Sequence, residues 1–482
     1  MTVSLNAFSG VNEMFAVNFE KKTDGCFMFG SRVSAIAHSC LDNDSIKSFW
    51  KGFCCQSSEL EITSSDELIF SIGKAEKPAL DGNQYAVNVE NTGLCVAGDS
   101  EKGLINGFVT LLHQIKVKEI NGENAVFEIK CGEFREAPSI KNQMVHFCIF
   151  PETELWELER FIKLCAALKY THIVLEFWGM LRYDCLKELS WSHAFSKEQI
   201  RPLIRTANEL GLEVIPMFNH WGHASASRAI HGKHVVLDQN PCLQPMFSDD
   251  GWTWNIQKPE VRELLRKIRG ELIELCGEGE YFHLGCDEAY NFEVTPENYT
   301  VLTDYLNGIS DELKEKGRRP IVWGDMLIAK HDWTTGNRYT VNCESAELEQ
   351  LILSDLDRNI VIADWQYIVR ESPVETALVF KEAGFDTIIC PWDRTCGDSV
   401  TPCVATAKEY ELFGVMHTTW NTLSKGMPDV AKTAYGIWSS GRFDNMFEFF
   451  VTNTARILRR VYPVNGDYKK AGWSKKQIDD IT

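Results

Sequence analysis

The spacing Cys-x-x-Cys is missing from this 482-residue sequence although it holds 16 cysteines. Neither a zinc ribbon nor a thioredoxin-type redox motif is therefore indicated. Basic charge is also scarce: 49 Lys and Arg stand against 68 Asp and Glu, a net charge of -19. A nucleic-acid-binding surface needs clustered cations to neutralise phosphates, and adsorption to an anionic membrane needs the same, so neither partner is expected. No uninterrupted apolar run approaches the length that spans a bilayer. Residues 1–13 lack a basic stretch followed by an apolar core, so no secretion signal is expected there. Several cysteines (Cys148, Cys165, Cys276, Cys390) lie inside apolar runs, the pattern of buried free thiols in a reducing compartment. The expectation is a cytoplasmic protein.

What is present is ordinary for a globular chain, with 44% hydrophobic and 24% charged residues, and the length suits two domains. Residues 1–135 carry strand-like runs at Phe27–Ala37, Leu60–Ile72 and Gln84–Ala97, then a helix over Lys102–Ile115 with Leu104, Phe108, Leu111, Leu112 and Ile115 on one face. A small α+β domain is expected, with the crossing to the next domain at Cys131–Ser139.

From residue 136 to 482 the rhythm is strand then helix. Strands are predicted at Met144–Phe150, His172–Trp178, Glu213–Phe218, Tyr281–Leu284, Ile321–Trp323, Ile360–Trp365, Thr387–Trp392 and Phe413–Thr419. Ser196-Lys197-Glu198-Gln199 has the form of a capping box, and Pro259 and Gly277 suit the first turn and the end of a helix that leads into Tyr281. Eight strands with room for a helix after each close naturally into a (β/α)8 barrel, here with a C-terminal helical tail.

The fourth barrel strand runs through Gly285 into Asp287 and Glu288, two carboxylates at a strand's carboxyl end, where such barrels place their ligands. Alone, an Asp-Glu pair is better explained as a solvated pair capping the next helix. Its surroundings change that reading. Trp178, Trp323, Trp365, Trp392 and Trp420 each end a predicted strand. Barrel interiors favour Val, Ile and Leu, whereas tryptophans at the mouth build flat apolar walls of the kind a sugar ring's C–H face requires. The segment Asn219–Lys258 is long and holds His220, His223, His231, His234 and Asp238; their spacing matches no defined zinc motif, and ordering of the loop is the simpler role.

His283-Leu284-Gly285-Cys286-Asp287-Glu288 resembles the His-x-Gly-x-Asp-Glu signature of family 20 glycoside hydrolases, the β-N-acetylhexosaminidases. Val214-Ile215-Pro216 with Gly222-His223-Ala224, Ile321–Asp325 and Ile362–Trp365 are similar to that family's third, fifth and sixth strand segments. The resemblance implies an exo-acting, retaining hydrolase of terminal β-linked N-acetylhexosamine in an oligosaccharide or glycoconjugate, with no metal or organic cofactor. It implies Glu288 as acid and base and Asp287 as the residue orienting the 2-acetamido group. His223 and His283 would support them, and Trp178, Trp323, Trp365, Trp392, Trp420 and Asp398 would line the sugar. The family's hydroxyl-reading Arg is matched to Lys141, with Asn142 after it. Gly179, Cys396 and Thr422 stand where the family carries Asp, Tyr and Glu, so a galacto-configured or modified 2-acetamido sugar is the alternative substrate. A non-catalytic carbohydrate-binding barrel is the alternative of another class; the intact carboxylate pair argues against it.

Overall fold

The computed structural model describes residues 14–15, 17–121, 124–225, 235–329, 339–392, 398–420, 423–439 and 446–462. The amino-terminal part is one eight-stranded sheet. Its strands are β1 (Lys21–Gly30), β2 (Arg32–His38), β3 (Glu59–Ser65), β4 (Ile69–Gly73), β5 (Tyr85–Glu90), β6 (Gly93–Gly98), β7 (Lys116–Asn121) and β8 (Asn124–Glu136). Each of the three expected strand-like runs is in fact two strands. Glu90 pairs with Gly93, so Asn91-Thr92 is a two-residue hairpin loop that folds β5 back on β6. Helices α1 (Asp44–Phe53) and α2 (Glu101–Gln114) supply the other layer. The segment expected as the crossing is still strand through Glu136, because Gly132 to Glu136 pair with β5 and Gly132 and Glu133 also with β1.

The second part is a closed parallel barrel of β9 (Asn142–Cys148), β10 (His172–Glu176), β11 (Glu213–Met217), β12 (Tyr281–His283), β13 (Arg319–Trp323), β14 (Val361–Trp365), β15 (Thr387–Cys390) and β16 (Gly414–Thr419). These are the eight predicted strands; six are shorter by one or two residues, β9 is shifted two residues earlier, and β13 begins two residues earlier at Arg319. Helices α3 (Leu155–Ala167), α4 (Lys197–Glu209), α5 (Val236–Gln239), α6 (Pro259–Cys276), α7 (Thr300–Glu315), α8 (Ala346–Asp355), α9 (Glu375–Glu382), α10 (Val400–Glu409) and α11 (Leu423–Trp438) lie in the connections. The Ser196–Gln199 capping box opens α4 with both reciprocal bonds made, and Gly277, at φ 75°, ends α6. Inside the barrel, Met144, Val174, Ile215, Tyr281, Ile321, Val361, Ile388 and Met416 form the packed layer. No described helix is long and apolar enough to cross a membrane.

The last helix, α12 (Phe447–Val461), returns to join the two parts by packing on α1, α3 and α11. Gly52 of α1 allows this contact: a Cβ there would fall 1.8 Å from the carbonyl oxygen of Arg460. One continuous apolar cluster runs from the sheet through the barrel helices.

Candidate active site

All eight barrel strands are parallel, so their carboxyl ends share one mouth. β12 is short, and its continuation stays in register through bonds from His220 N to Leu284 O and from Trp323 N to Gly285 O. The chain then turns sharply. Gly285, Cys286 and Glu288 have φ of 66°, 76° and 46°, and His223 opposite has 55°. Three of these are not glycine, and left-handed backbone costs on the order of 1–3 kcal/mol each in a side-chain-bearing residue. The turn is held against that cost. His283 Nδ1 accepts from Gly285 N (3.0 Å), and the loop carrying Gly222 lies so close that a Cβ there would meet Asp287 O at 1.9 Å.

The result is a carboxylate pair joined by one ring. His223 Nε2 lies 3.2 Å from Asp287 Oδ2 and 3.0 Å from Glu288 Oε2. A nitrogen facing two carboxylates must carry hydrogen, since a lone pair there would be repelled by both. Asp287 is 4% exposed, and its Oδ1 accepts from Asn219 Nδ2 at 3.2 Å. Glu288 is the outward member, with 29% of its side chain exposed. Its main-chain N–H donates to Asp325 Oδ2 (3.0 Å), and its carbonyl accepts from Trp252 Nε1 (2.6 Å) and from Tyr290 N (2.7 Å).

Asp325 is the residue behind the pair. It accepts from Asn342 Nδ2 at 2.7 Å and from Trp365 Nε1 at 3.1 Å, and burial, reinforced by the charge on Asp287, pushes its carboxyl up to about 7. Burial and the like charge of Asp287 both disfavour the ionised form of Asp325.

The expected tryptophans divide. Trp365, Trp392 and Trp420 gather around Tyr367: its ring lies 5.0 Å from Trp365 and 5.2 Å from Trp392, and its hydroxyl accepts from Trp420 Nε1 at 2.5 Å. Trp323 is only 1% exposed and forms the floor, 4.4 Å from the His283 ring and 6.0 Å from Trp420. Trp178, at φ 50°, packs on Phe150 at 4.9 Å. Below Trp420 lies a buried hydrogen-bonded pair with no signal in the sequence: His146 Nε2 meets Glu176 Oε2 at 2.8 Å, with the His146 ring 4.6 Å from Trp420.

Asp398 lies on the mouth-side connection before α10. Its carboxylate accepts from Thr401 N (3.1 Å) and Thr401 Oγ1 (2.9 Å) and pairs with Lys432 at 2.6 Å. Burial works to raise this carboxyl, but the Lys432 bond and charge outweigh it and hold it low. His283 is wholly buried and acts on the turn. His220 is buried too, with Nδ1 2.6 Å from Phe218 O, while His231 and His234 lie outside the described residues. Cys396 and Thr422 also lie outside them.

Lys141 must be corrected. It is exposed and precedes Asn142, the first residue of β9, so it sits at the opposite end of the barrel from Glu288. Seven strand residues separate those ends, roughly 20 Å at about 3.3 Å per residue, beyond the reach of a lysine. Asp325, Asn342, Asn219, Trp252, Tyr290 and Tyr367 are the site residues that sequence reasoning missed. Only Asp325 had a visible signal, standing two residues past a strand-ending Trp323.

This barrel, with an adjacent Asp-Glu pair at its mouth, is the framework of a glycoside hydrolase. The family model "Glycosyl hydrolase family 20, catalytic domain" matches residues 173–419, and the chain belongs to that family. In sequence it is similar to lacto-N-biosidase of Bifidobacterium bifidum, 21% identical over 284 residues, covering 54% of this chain and 24% of that protein. It is also similar to hexosaminidase D of Bos taurus, 24% identical over 188 residues, covering 35% of this chain and 51% of that protein. The matches thus take in about a quarter to a half of the length of those relatives. In structure it resembles the β-N-acetylhexosaminidase of Bacteroides fragilis NCTC 9343 (TM-score 0.65, 14% identity, 96% of each chain). The family 20 exo-β-N-acetylglucosaminidase of Vibrio harveyi in complex with N-acetylglucosamine is alike in fold (TM-score 0.65, 16% identity, 93% of this chain and 77% of that one).

Proposed function

We propose that this chain is an exo-acting β-N-acetylhexosaminidase that works with retention through the substrate's own 2-acetamido group. The observation that carries the reading is His223 Nε2 within 3.2 Å of Asp287 and 3.0 Å of Glu288. Both carboxylates are thereby fixed on one side of the mouth. A retaining mechanism with an enzyme nucleophile needs its two carboxyls about 5–5.5 Å apart across the scissile bond, and family 20 is among the exceptions in which the substrate supplies the nucleophile.

In the first step the acetamido oxygen forms a bond to the anomeric carbon as the C–O bond to the leaving group breaks. Glu288 gives its proton to the departing oxygen, which keeps the bonding pair. Asp287, buried and bonded to Asn219, orients the acetamido N–H and balances the positive charge that spreads onto it. In the second step water attacks the anomeric carbon, the bond to the acetamido oxygen breaks, and Glu288 takes the water's proton. Trp365, Trp392 and Trp420 around the Tyr367 hydroxyl form an apolar recess with one polar point, suited to an acetamido methyl and carbonyl.

The test is an assay on aryl 2-acetamido-2-deoxy-β-glycosides in gluco and galacto form, with Glu288→Gln alongside wild type. Wild type should cleave at least one epimer. Glu288→Gln should lose roughly 10²–10⁴-fold on an alkyl or oligosaccharide glycoside. A wild type that binds N-acetylhexosamine but cleaves neither form would instead make it a carbohydrate-binding barrel.

A further inference from the structure

Glu288 has two side-chain oxygens in different company. Oε2 faces inward to His223 at 3.0 Å, and Oε1 receives the hydroxyl of Tyr290 at 3.1 Å. His223 is 5% exposed and Tyr290 44% exposed, so Oε1 is the oxygen that looks out of the mouth. Tyr290 is not a loose surface ring. Its N–H donates to Glu288 O at 2.7 Å, and its carbonyl accepts from Thr253 Oγ1 at 2.5 Å. Its ring also stacks on Trp252 at 6.4 Å and 21°, and the Trp252 indole N–H itself holds Glu288 O at 2.6 Å.

We propose that Tyr290 is a positioning residue for proton transfer at Glu288, fixing the outward oxygen while its ring, backed by Trp252, walls the leaving-group side of the mouth. The proposal rests on the functional reading above. Tyr290 touches the acid and does not itself exchange a proton: burial and the charge on Glu288 push its phenol upward, so it stays protonated. A neutral hydroxyl donating to a carboxyl favours the carboxylate over the acid, which makes the acid a better proton donor. It also holds one rotamer of Glu288, so the proton leaves from Oε1 toward the leaving oxygen and later returns to it. The other groups facing Glu288 are His223 and Asp287 beside its side chain and Asp325 at its main-chain N–H. All three are retained when Tyr290 alone is changed.

The experiment is the pH profile of kcat/KM for wild type, Tyr290→Phe and Tyr290→Leu, on a nitrophenyl and on an alkyl 2-acetamido-β-glycoside. Removing the hydroxyl should leave the acid form standing to higher pH, moving the alkaline limb up by about half to one unit in both variants. At the optimum, Tyr290→Phe should lose ~3–10-fold on the alkyl glycoside and little on the nitrophenyl one, because only the poor leaving group depends on the proton. Tyr290→Leu should in addition raise KM for a disaccharide, since it loses the ring that Phe keeps. A wild type inactive on both glycosides would overturn the functional reading and this proposal with it. An active wild type whose profile is superimposable on that of Tyr290→Phe overturns this proposal alone.

Discussion

Every polar atom of Glu288 is accounted for: its N–H goes to Asp325, its carbonyl to Trp252 and Tyr290, and its two oxygens to Tyr290 and His223. Such a residue is placed by its neighbours, and the tightest of them is a hydrogen atom. A Cβ at Gly222 would fall 1.9 Å from Asp287 O and 2.8 Å from Ala289 N, both backbone atoms that cannot rotate aside. Gly222→Ala must therefore push the Asp287–Glu288 turn away from its support. Displacement of a catalytic group by about 1 Å costs on the order of 10²-fold in rate. Gly222→Ala should show that loss in kcat while keeping the fold by circular dichroism; a fully active variant would mean that the turn can move without consequence. None of this closeness was legible in the sequence. Trp252 and Glu288, or Asp325 and Glu288, are separated by 36 and 37 residues, and nothing in residue type alone says they touch.

At the scale of elements, the barrel strands were legible because apolar runs alternate with helical periodicity, and five of the eight end at a tryptophan. The start of α4 and the limits of α6 were legible from local polar and backbone signals: Ser196 with Gln199, Pro259 and Gly277. α1 was overlooked although its signal is present. Ile46, Phe49, Trp50 and Phe53 recur at helical spacing, and Asn43 caps it by accepting from Ile46 N at 2.9 Å. It lies between strands, in a stretch read for strands. Lys141 departs from its expected place for a different reason: a basic residue type does not fix which end of β9 it occupies.

β14 carries a further consequence. Its Asp364 is buried, accepting from Gln366 Nε2 (2.8 Å) and Thr376 Oγ1 (2.6 Å), and burial pushes this carboxyl up to about 6. A carboxyl raised in the folded state stabilises the fold fully below the unfolded value near 4, and that contribution is lost as pH rises through about 6. Asp364→Asn, which mimics the protonated form, should match wild type near pH 4 and exceed it at pH 8 by about 1–3 kcal/mol. Thermal melts at the two pH values check this, and equal pH dependence in both proteins would contradict it.

For the whole molecule, the sheet and barrel meet over a buried cation. Lys169, 1% exposed and at φ 65° after α3, lies 3.6 Å from the Trp438 ring. Its ammonium donates to Tyr85 OH at 3.1 Å and to Glu136 Oε2 at 3.2 Å. Trp438 Nε1 in turn donates to Gln143 Oε1 of β9 at 2.9 Å. The cation thus ties β5 and β8 of the sheet to the first barrel strand through α11. Its burial lowers its proton affinity, and the Glu136 charge restores part of it. Lys169→Ala should cost roughly 2–4 kcal/mol in denaturant unfolding, because it leaves the Glu136 carboxylate without its cation and removes the contact with the Trp438 ring. An unchanged midpoint would show that the two parts are held by the shared apolar cluster alone.

The central claim, that the substrate's acetamido oxygen is the nucleophile beside Asp287 and Glu288, is tested most directly by changing that oxygen's electron density. The measurement is kcat/KM for a series of aryl β-glycosides whose 2-acetamido group carries none, one, two or three fluorines. Each fluorine weakens the carbonyl oxygen as a nucleophile while leaving the leaving group and ring unchanged. The account predicts a steep, monotonic fall across the series, on the order of tenfold or more per fluorine, equivalent to about 1.4 kcal/mol of barrel-mouth transition-state stabilisation lost at each step. A flat series with undiminished turnover of the trifluoro substrate would mean that a group of the enzyme attacks the anomeric carbon, and would contradict it.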